Sequence, residues 1–281
     1  MKAKPAIRSR PPRYPTRMEV LDDPDLLKRH MPPHWKACAE MAGAVSFLLL
    51  TNTGMRGGES PAPRASGKPA VVAPIFVHGQ GRGVIGCVVV SPPVFLSEQD
   101  AMQVIREELG KAGVNLSQAS VPLEGVSVPY LAEMWNAERG MVLQVFPEGK
   151  PTRLTLDAFD PQTKVGVEFV SDEKNERMAF TGGLIRNYDL KGLAGFVNDS
   201  VRASGHDLYF GAFYDPACNG FSTRSTRAIE KRADALQRQR NFDAENAAFR
   251  ELGDAVRAHS TRLLRMQVHD FINWLKGQGA I

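Results

Sequence analysis

The sequence predicts an α/β (α+β) domain with a central mixed sheet flanked by helices and with long C-terminal helices. Three observations predict it. β-rich runs recur between Ala70 and Tyr214, and two segments, starting near Ser97 and Leu190, repeat apolar residues at helical spacing. From about Ser225 to Lys276 the pattern is helical almost throughout.

Length and composition set the frame. With 281 residues the chain is long for one core, so one domain plus an extension is the default. At 43% hydrophobic and 23% charged residues the composition is that of an ordinary globular protein. No run reaches the roughly 18 apolar residues of a membrane span. The net charge of +4 is unevenly placed, because residues 1–36 carry nine Lys or Arg against four acids. Such an excess suits an anionic partner, retention on one side of a membrane, or a solvated tail.

The chain divides into five stretches. Residues 1–40 form the basic, proline-rich segment. Residues 41–55, MAGAVSFLLLTNTGM, are uncharged and have the length of a signal-peptide apolar region; they read either as a signal or anchor, or as a helix docked on the domain. Residues 56–69 have the Gly, Pro and Ser content of a flexible linker. The α/β domain occupies 70–223, and a helical region, 224–281, packs on it.

Within the domain, AVVAPIFVH and GVIGCVVVS flank GQGRG and predict a hairpin with glycines at its turn. A strand follows those glycines, which argues against a phosphate loop. Ser97 caps a helix to about Lys111, with Asp100 at its third position, Ala101, Val104, Ile105 and Leu109 on one face and Gly113 beyond its end. Leu116 to Val128 is extended and interrupted by Pro122. MVLQVF, TRLTLDAFD and VGVEFVS predict three strands, the last two joined by the turn Asp160-Pro161-Gln162-Thr163. A helix over Leu190 to Arg202 turns Leu193, Phe196 and Val197 inward and ends at Gly205. DLYFGAFYD predicts a further strand. The terminal helical stretch would measure roughly 80 Å unbroken at about 1.5 Å per residue, so a break is expected near Asn241 or Gly253.

Few residues announce chemistry. Cys38, Cys87 and Cys218 lack Cys-x-x-Cys spacing, so structural zinc is not expected; in an exported domain Cys87 and Cys218 are the pair available for a disulfide. Glu107 and Glu108 read as surface acids. His30 and His34 are kept off one helix face by Pro32 and Pro33, and His78, His206, His259 and His269 read as surface residues. No Gly-x-Ser-x-Gly elbow is present. Tyr209, Phe210, Phe213 and Tyr214, near Arg224 and Arg227, read as sheet residues first and as a stacking surface second.

The order helix, three strands, helix, strand between Ser97 and Tyr214 resembles the core of the PD-(D/E)XK, or restriction-endonuclease-like, superfamily. The resemblance implies that an acid on the second core strand and a Glu-x-Lys on the third hold Mg²⁺ for attack on a phosphodiester. Asp157 in LDAF and Glu168 in VGVEFV match the two acids. Val170 stands where the lysine would fall, and the nearest lysines are Lys164 in the turn and Lys174 beyond the strand. Under this resemblance Asp157, Glu168 and Lys174 are the candidate catalytic residues, Asp157 and Glu168 the metal ligands, and nucleic acid the partner; outside it no cofactor is implied. The segments PPVFLSE, DAFDPQTKVGVEFVS and YFGAFYDP also resemble uncharacterised bacterial proteins, which implies a bacterial source and no activity.

The N-terminal organisation leads to the principal functional expectation: a non-catalytic binding or structural domain of the bacterial cell envelope, attached or exported through 41–55. A metal-dependent or degenerate nuclease is the alternative. A third is a scaffold with a protein partner, or self-association as a coiled coil, through 225–276.

Overall fold

The computed structural model describes residues 69–85, 91–136, 140–180 and 186–281. Contacts along the chain separate two units, Met1–Ala62 and Pro63–Ile281, and all described residues belong to the second. The expectations for the basic segment, the apolar run 41–55 and the linker, and those for Cys38, Cys87, His30 and His34, lie outside the described residues.

The fold is mixed α+β, with long C-terminal helices and five helices among the described residues. In chain order the elements are β1 (Val71–Val72), β2 (Arg82–Ile85), α1 (Glu98–Lys111), β3 (Gln118–Val128), β4 (Leu131–Asn136), β5 (Gly140–Val145), β6 (Thr152–Asp160) and β7 (Val165–Val170). They continue with α2 (Asp172–Met178), β8 (Ala179–Phe180), β9 (Arg186–Asp189), α3 (Leu190–Arg202), β10 (Tyr209–Tyr214), α4 (Arg224–Arg238) and α5 (Phe242–Gly277). No described helix is long and apolar enough to cross a membrane.

The central sheet has the order β1-β10-β7-β6-β3. β1, β10 and β7 run parallel, β6 is antiparallel to β7, and β3 is antiparallel to β6. All six residues of β7 are buried, as a strand covered on both faces requires. On one face α3 sets Leu190, Leu193 and Val197 into a cluster with Leu154, Leu156 and Phe210. On the other, α1 and the C-terminal half of α5 pack Ile105, Leu109, Leu264, Val268 and Phe271 with Val167, Phe169 and Phe213. Helix α5 comes close because Gly211 carries no side chain; a Cβ there would lie 2.7 Å from the Phe271 ring.

Both borders of the sheet are irregular. β1 is two residues long and pairs only with Tyr209 and Phe210. Farther along β10 the Gln267 side-chain amide takes over: its Oε1 accepts from Tyr214 N–H (3.1 Å) and its Nε2 donates to Tyr214 C=O (3.0 Å). At the opposite border β3 contains Pro122, an irregular register between Pro122 and Ser127, and positive φ at Ser120 and Gly125.

Among the described residues the hairpin predicted over 70–91 is not formed. Val71 and Val72 pair with β10, whereas Arg82–Ile85 pair antiparallel with Arg186–Asp189 of β9. Gly79 and Gly81, at φ +88° and +58°, serve close approach rather than a two-strand turn, since a Cβ on them would meet Pro216 at 2.6 Å and Tyr214 at 2.4 Å. The other main elements form as the sequence predicts. Ser97 Oγ accepts from Asp100 N–H and caps α1, β6 and β7 pair across the Asp160 turn, and Asn241 begins α5 after a short break, with Gly253 inside that helix. β4, β8, β9 and α2 are additions to the predicted set.

Candidate functional site

The site is built where β6 and β7 stop pairing. Their ladder runs Asp160↔Val165, Phe159↔Gly166 and Ala158↔Val167. At the next position side chains replace it: Glu168 Oε2 accepts from Asp157 N–H (3.1 Å), and Asp157 Oδ2 accepts from Phe169 N–H (2.6 Å). Two carboxylates are thereby fixed face to face on adjacent strands, as the sequence predicts for them.

Lys174 lies between them. Ser171 caps α2, its Oγ accepting from Lys174 N–H, so the first helical turn folds back over the end of β7. This brings Lys174 Nζ to 2.7 Å from both oxygens of Asp157, 2.7 Å from Glu168 Oε1 and 2.9 Å from Phe169 C=O, to each of which it donates. Lys164 is elsewhere, paired with Asp207 at 2.6 Å. The lysine that reaches the two acids is thus carried by the helix after the strand, while Val170 is buried in the core.

Burial sets the electrostatics. Glu168 is 1% exposed and Lys174 6%. Burial pushes the Glu168 carboxyl up, to about 8, against the pull of Lys174 and with a further push from Asp157. For Lys174, burial acts to lower the ammonium, but the charges of Glu168 and Asp157 outweigh it and hold it above its ordinary value. The pair is thus a retained positive charge in a nearly dry cage, open to solvent on the Asp157 side.

A fourth residue, Glu98, completes the group. It stands at the start of α1, where Oε1 accepts from Ser171 Oγ at 2.6 Å, and the same oxygen lies 4.0 Å from Lys174 Nζ and 3.9 Å from Arg177. Its sequence signal is only that of an acid in the first turn after a Ser cap.

Four oxygens surround one cation: two from Asp157, one from Glu168 and the Phe169 carbonyl. Hard divalent cations take oxygen sets of this kind, so the donor chemistry fits Mg²⁺ in the position of the ammonium. Among the described residues no three His, Cys, Asp or Glu side chains converge on a metal position; here the additional donor is a main-chain carbonyl.

The other candidates are structural. Glu108 is buried and holds Lys111 at 2.8 Å and His269 at 3.1 Å, which keep its carboxyl below the usual range. Glu107 accepts from Gln103. His78 pairs with Asp270 at 2.7 Å, His206 meets the Glu124 carbonyl, and His259 meets Arg262. Phe210, Phe213 and Tyr214 are buried, and the half-buried Tyr209 packs edge-on to Trp274. Cys218 is a buried free thiol whose pKa burial raises. It lines a cleft of ≈ 580 Å³ with Arg82, Tyr188 and His259, and none of Asp157, Glu168 and Lys174 borders that cleft.

No family model, curated protein or solved structure matches this chain.

Proposed function

We propose that the chain is a metal-dependent phosphodiesterase acting on nucleic acid, of the PD-(D/E)XK type that its element order resembles. The observation that carries the reading is the single positive charge of Lys174 held by Asp157, Glu168 and the Phe169 carbonyl. Two carboxylates and a carbonyl converge where the ladder opens, and an oxygen set of that kind can take a hard metal cation, which supports the reading.

Mg²⁺ would be held by Asp157, Glu168 and the Phe169 carbonyl, and when bound it supplies a Lewis acid for a phosphate oxygen and a more acidic water. The chain's own residues contribute the rest. Asp157, pinned by the Phe169 N–H, and Glu168, pinned by the Asp157 N–H, keep their oxygens fixed without reorganisation. Lys174, displaced from the oxygens that the metal would take, would keep its proton and offer positive charge to an oxygen that becomes more negative during phosphoryl transfer. Glu98 and Ser171 position the first turn of α2, and so Lys174.

The test is Mg²⁺- or Mn²⁺-dependent cleavage of circular and linear DNA and of RNA by the full chain. Cleavage that is lost in Asp157→Ala, Glu168→Ala and Lys174→Ala is the expected result. Absence of cleavage on every substrate, or cleavage indifferent to Asp157→Ala, overturns the reading.

A further inference from the structure

We propose that the outward face of α4 is a landing surface for the phosphate backbone of duplex DNA. The proposal rests on the phosphodiesterase reading for its choice of polyanion and on α4 itself for the surface. Arg224, Arg227, Lys231 and Arg238 are all exposed. At about 100° per residue they fall within an arc of about 60°, and at about 1.5 Å per residue the stripe is about 21 Å long. The buried residues Thr226, Glu230 and Ala233 lie on the other side of the helix, toward α5.

These cations are not consumed by pairing. Among the described residues none of the four forms a salt bridge with a carboxylate; Arg227 donates to the Phe221 carbonyl and lies over the Phe221 ring, and Arg238 donates to the Asp234 carbonyl. Where α4 and α5 do exchange charge, Arg232 pairs with Glu251 on a different face. Asp234 borders one side of the stripe, and Ala228 and Ala235 border the other. Phe221 is the aromatic at this face and Arg227 covers its ring, while the rest of the face is cations and small residues, which suits phosphate contacts.

The stripe is rigid and rooted at the site end of the sheet. Thr223 caps α4 with a reciprocal capping box, and Ile229, Leu252 and Val256 join the helix pair to Cys218 and Val94. The chain enters α4 from the C-terminal end of β10, where Asp215 N–H donates to Val170 C=O. Val170 ends the strand that carries Glu168, and Lys174 follows on the next helix. The connection to α4 therefore leaves the sheet at the end where the cage stands.

The experiment measures fluorescence anisotropy of a labelled random-sequence duplex of about 20 base pairs with the full chain, in EDTA so that cleavage does not intervene, over a range of salt. Each phosphate contact contributes about 0.9 to the slope of log affinity against log salt. The variant R224Q/R227Q/K231Q/R238Q is expected to bind at least ~10-fold more weakly with a slope shallower by about 3 to 4, whereas R250Q/R257Q/R262Q/K276Q keeps the wild-type slope. Circular dichroism verifies folding, and R227E/K231E repeats the comparison with two changes. No binding by the wild type, an unchanged slope in the stripe variant, or preferential capture by phosphatidylserine-containing vesicles overturns the proposal. Binding through the stripe without metal-dependent cleavage leaves the surface standing and removes the phosphodiesterase reading; cleavage abolished by Asp157→Ala with binding indifferent to the stripe does the reverse.

Discussion

The Lys174 ammonium lies 2.7 Å from Glu168 Oε1, and both groups are more than nine-tenths buried. Neither is affordable alone. Removing the ammonium leaves the Asp157 carboxylate without its counter-charge and the Glu168 and Phe169 oxygens without a donor, and breaking such a buried group costs about 3–5 kcal/mol. Lys174→Met is therefore expected to lose about that much stability in EDTA, measured by urea denaturation, and to recover part of it in millimolar Mg²⁺ as the metal replaces the ammonium. Equal stability of the two proteins in EDTA would show that the cage does not depend on this cation.

The raised Glu168 carboxyl makes stability depend on pH. In the folded chain it keeps its proton to about 8, while in the unfolded chain it releases it near the ordinary value of 4.5. Between those values the folded state binds more protons, so stability falls as pH rises and levels off above the upper value. Asp215, which burial pushes up to about 7, slopes the same way. Glu168→Gln is expected to make the fall from pH 4.5 to 8 shallower in a series of denaturation curves, leaving the Asp215 contribution. An unaltered slope would place the proton uptake elsewhere.

At Gly211 the prediction is steric. A Cβ would sit 2.7 Å from the Phe271 ring, itself packed edge-on to Phe213 and stacked on Trp274. Gly211→Ala should cost about 1–3 kcal/mol by forcing α5 away from β10. Combining it with Phe271→Leu should lose less than the sum of the two single changes, which a double-mutant cycle measures.

Gln267→Leu removes the amide that serves both backbone groups of Tyr214 and also reaches the His78 carbonyl. Each buried group left without a partner costs about 1–3 kcal/mol. Faster hydrogen exchange of the Tyr214 amide, beside unchanged exchange in β6, is the expected local signature.

How far the sequence discloses all this depends on whether a relationship is local. Ser97 with Asp100, the turn at Asp160 and the break at Asn241 are settled within a few residues, and local chemistry reveals them. The facing of Asp157 and Glu168 follows from that turn, so the two acids were readable too. Lys174 is a candidate catalytic residue by the resemblance, but its return to the site depends on the Ser171 cap and one turn of α2, a signal present in Ser171-Asp172-Glu173-Lys174 but short. Glu98 reaches the group from another part of the chain. The partners of β1 and β2 are β10 and β9, far away in sequence, and two apolar runs flanking glycines imitate a hairpin closely enough to mislead.

The irregular borders of the central sheet also govern what the chain can join. A two-residue β1, a glutamine side chain standing in for a strand beside Tyr214, and a β3 interrupted at Pro122 leave no long straight ribbon of free N–H and C=O groups. Recruitment of another polypeptide by strand addition, including runaway stacking into fibrils, has no template there. Association through the borders of this sheet is left to side chains meeting across helices and loops, which makes it tunable one residue at a time.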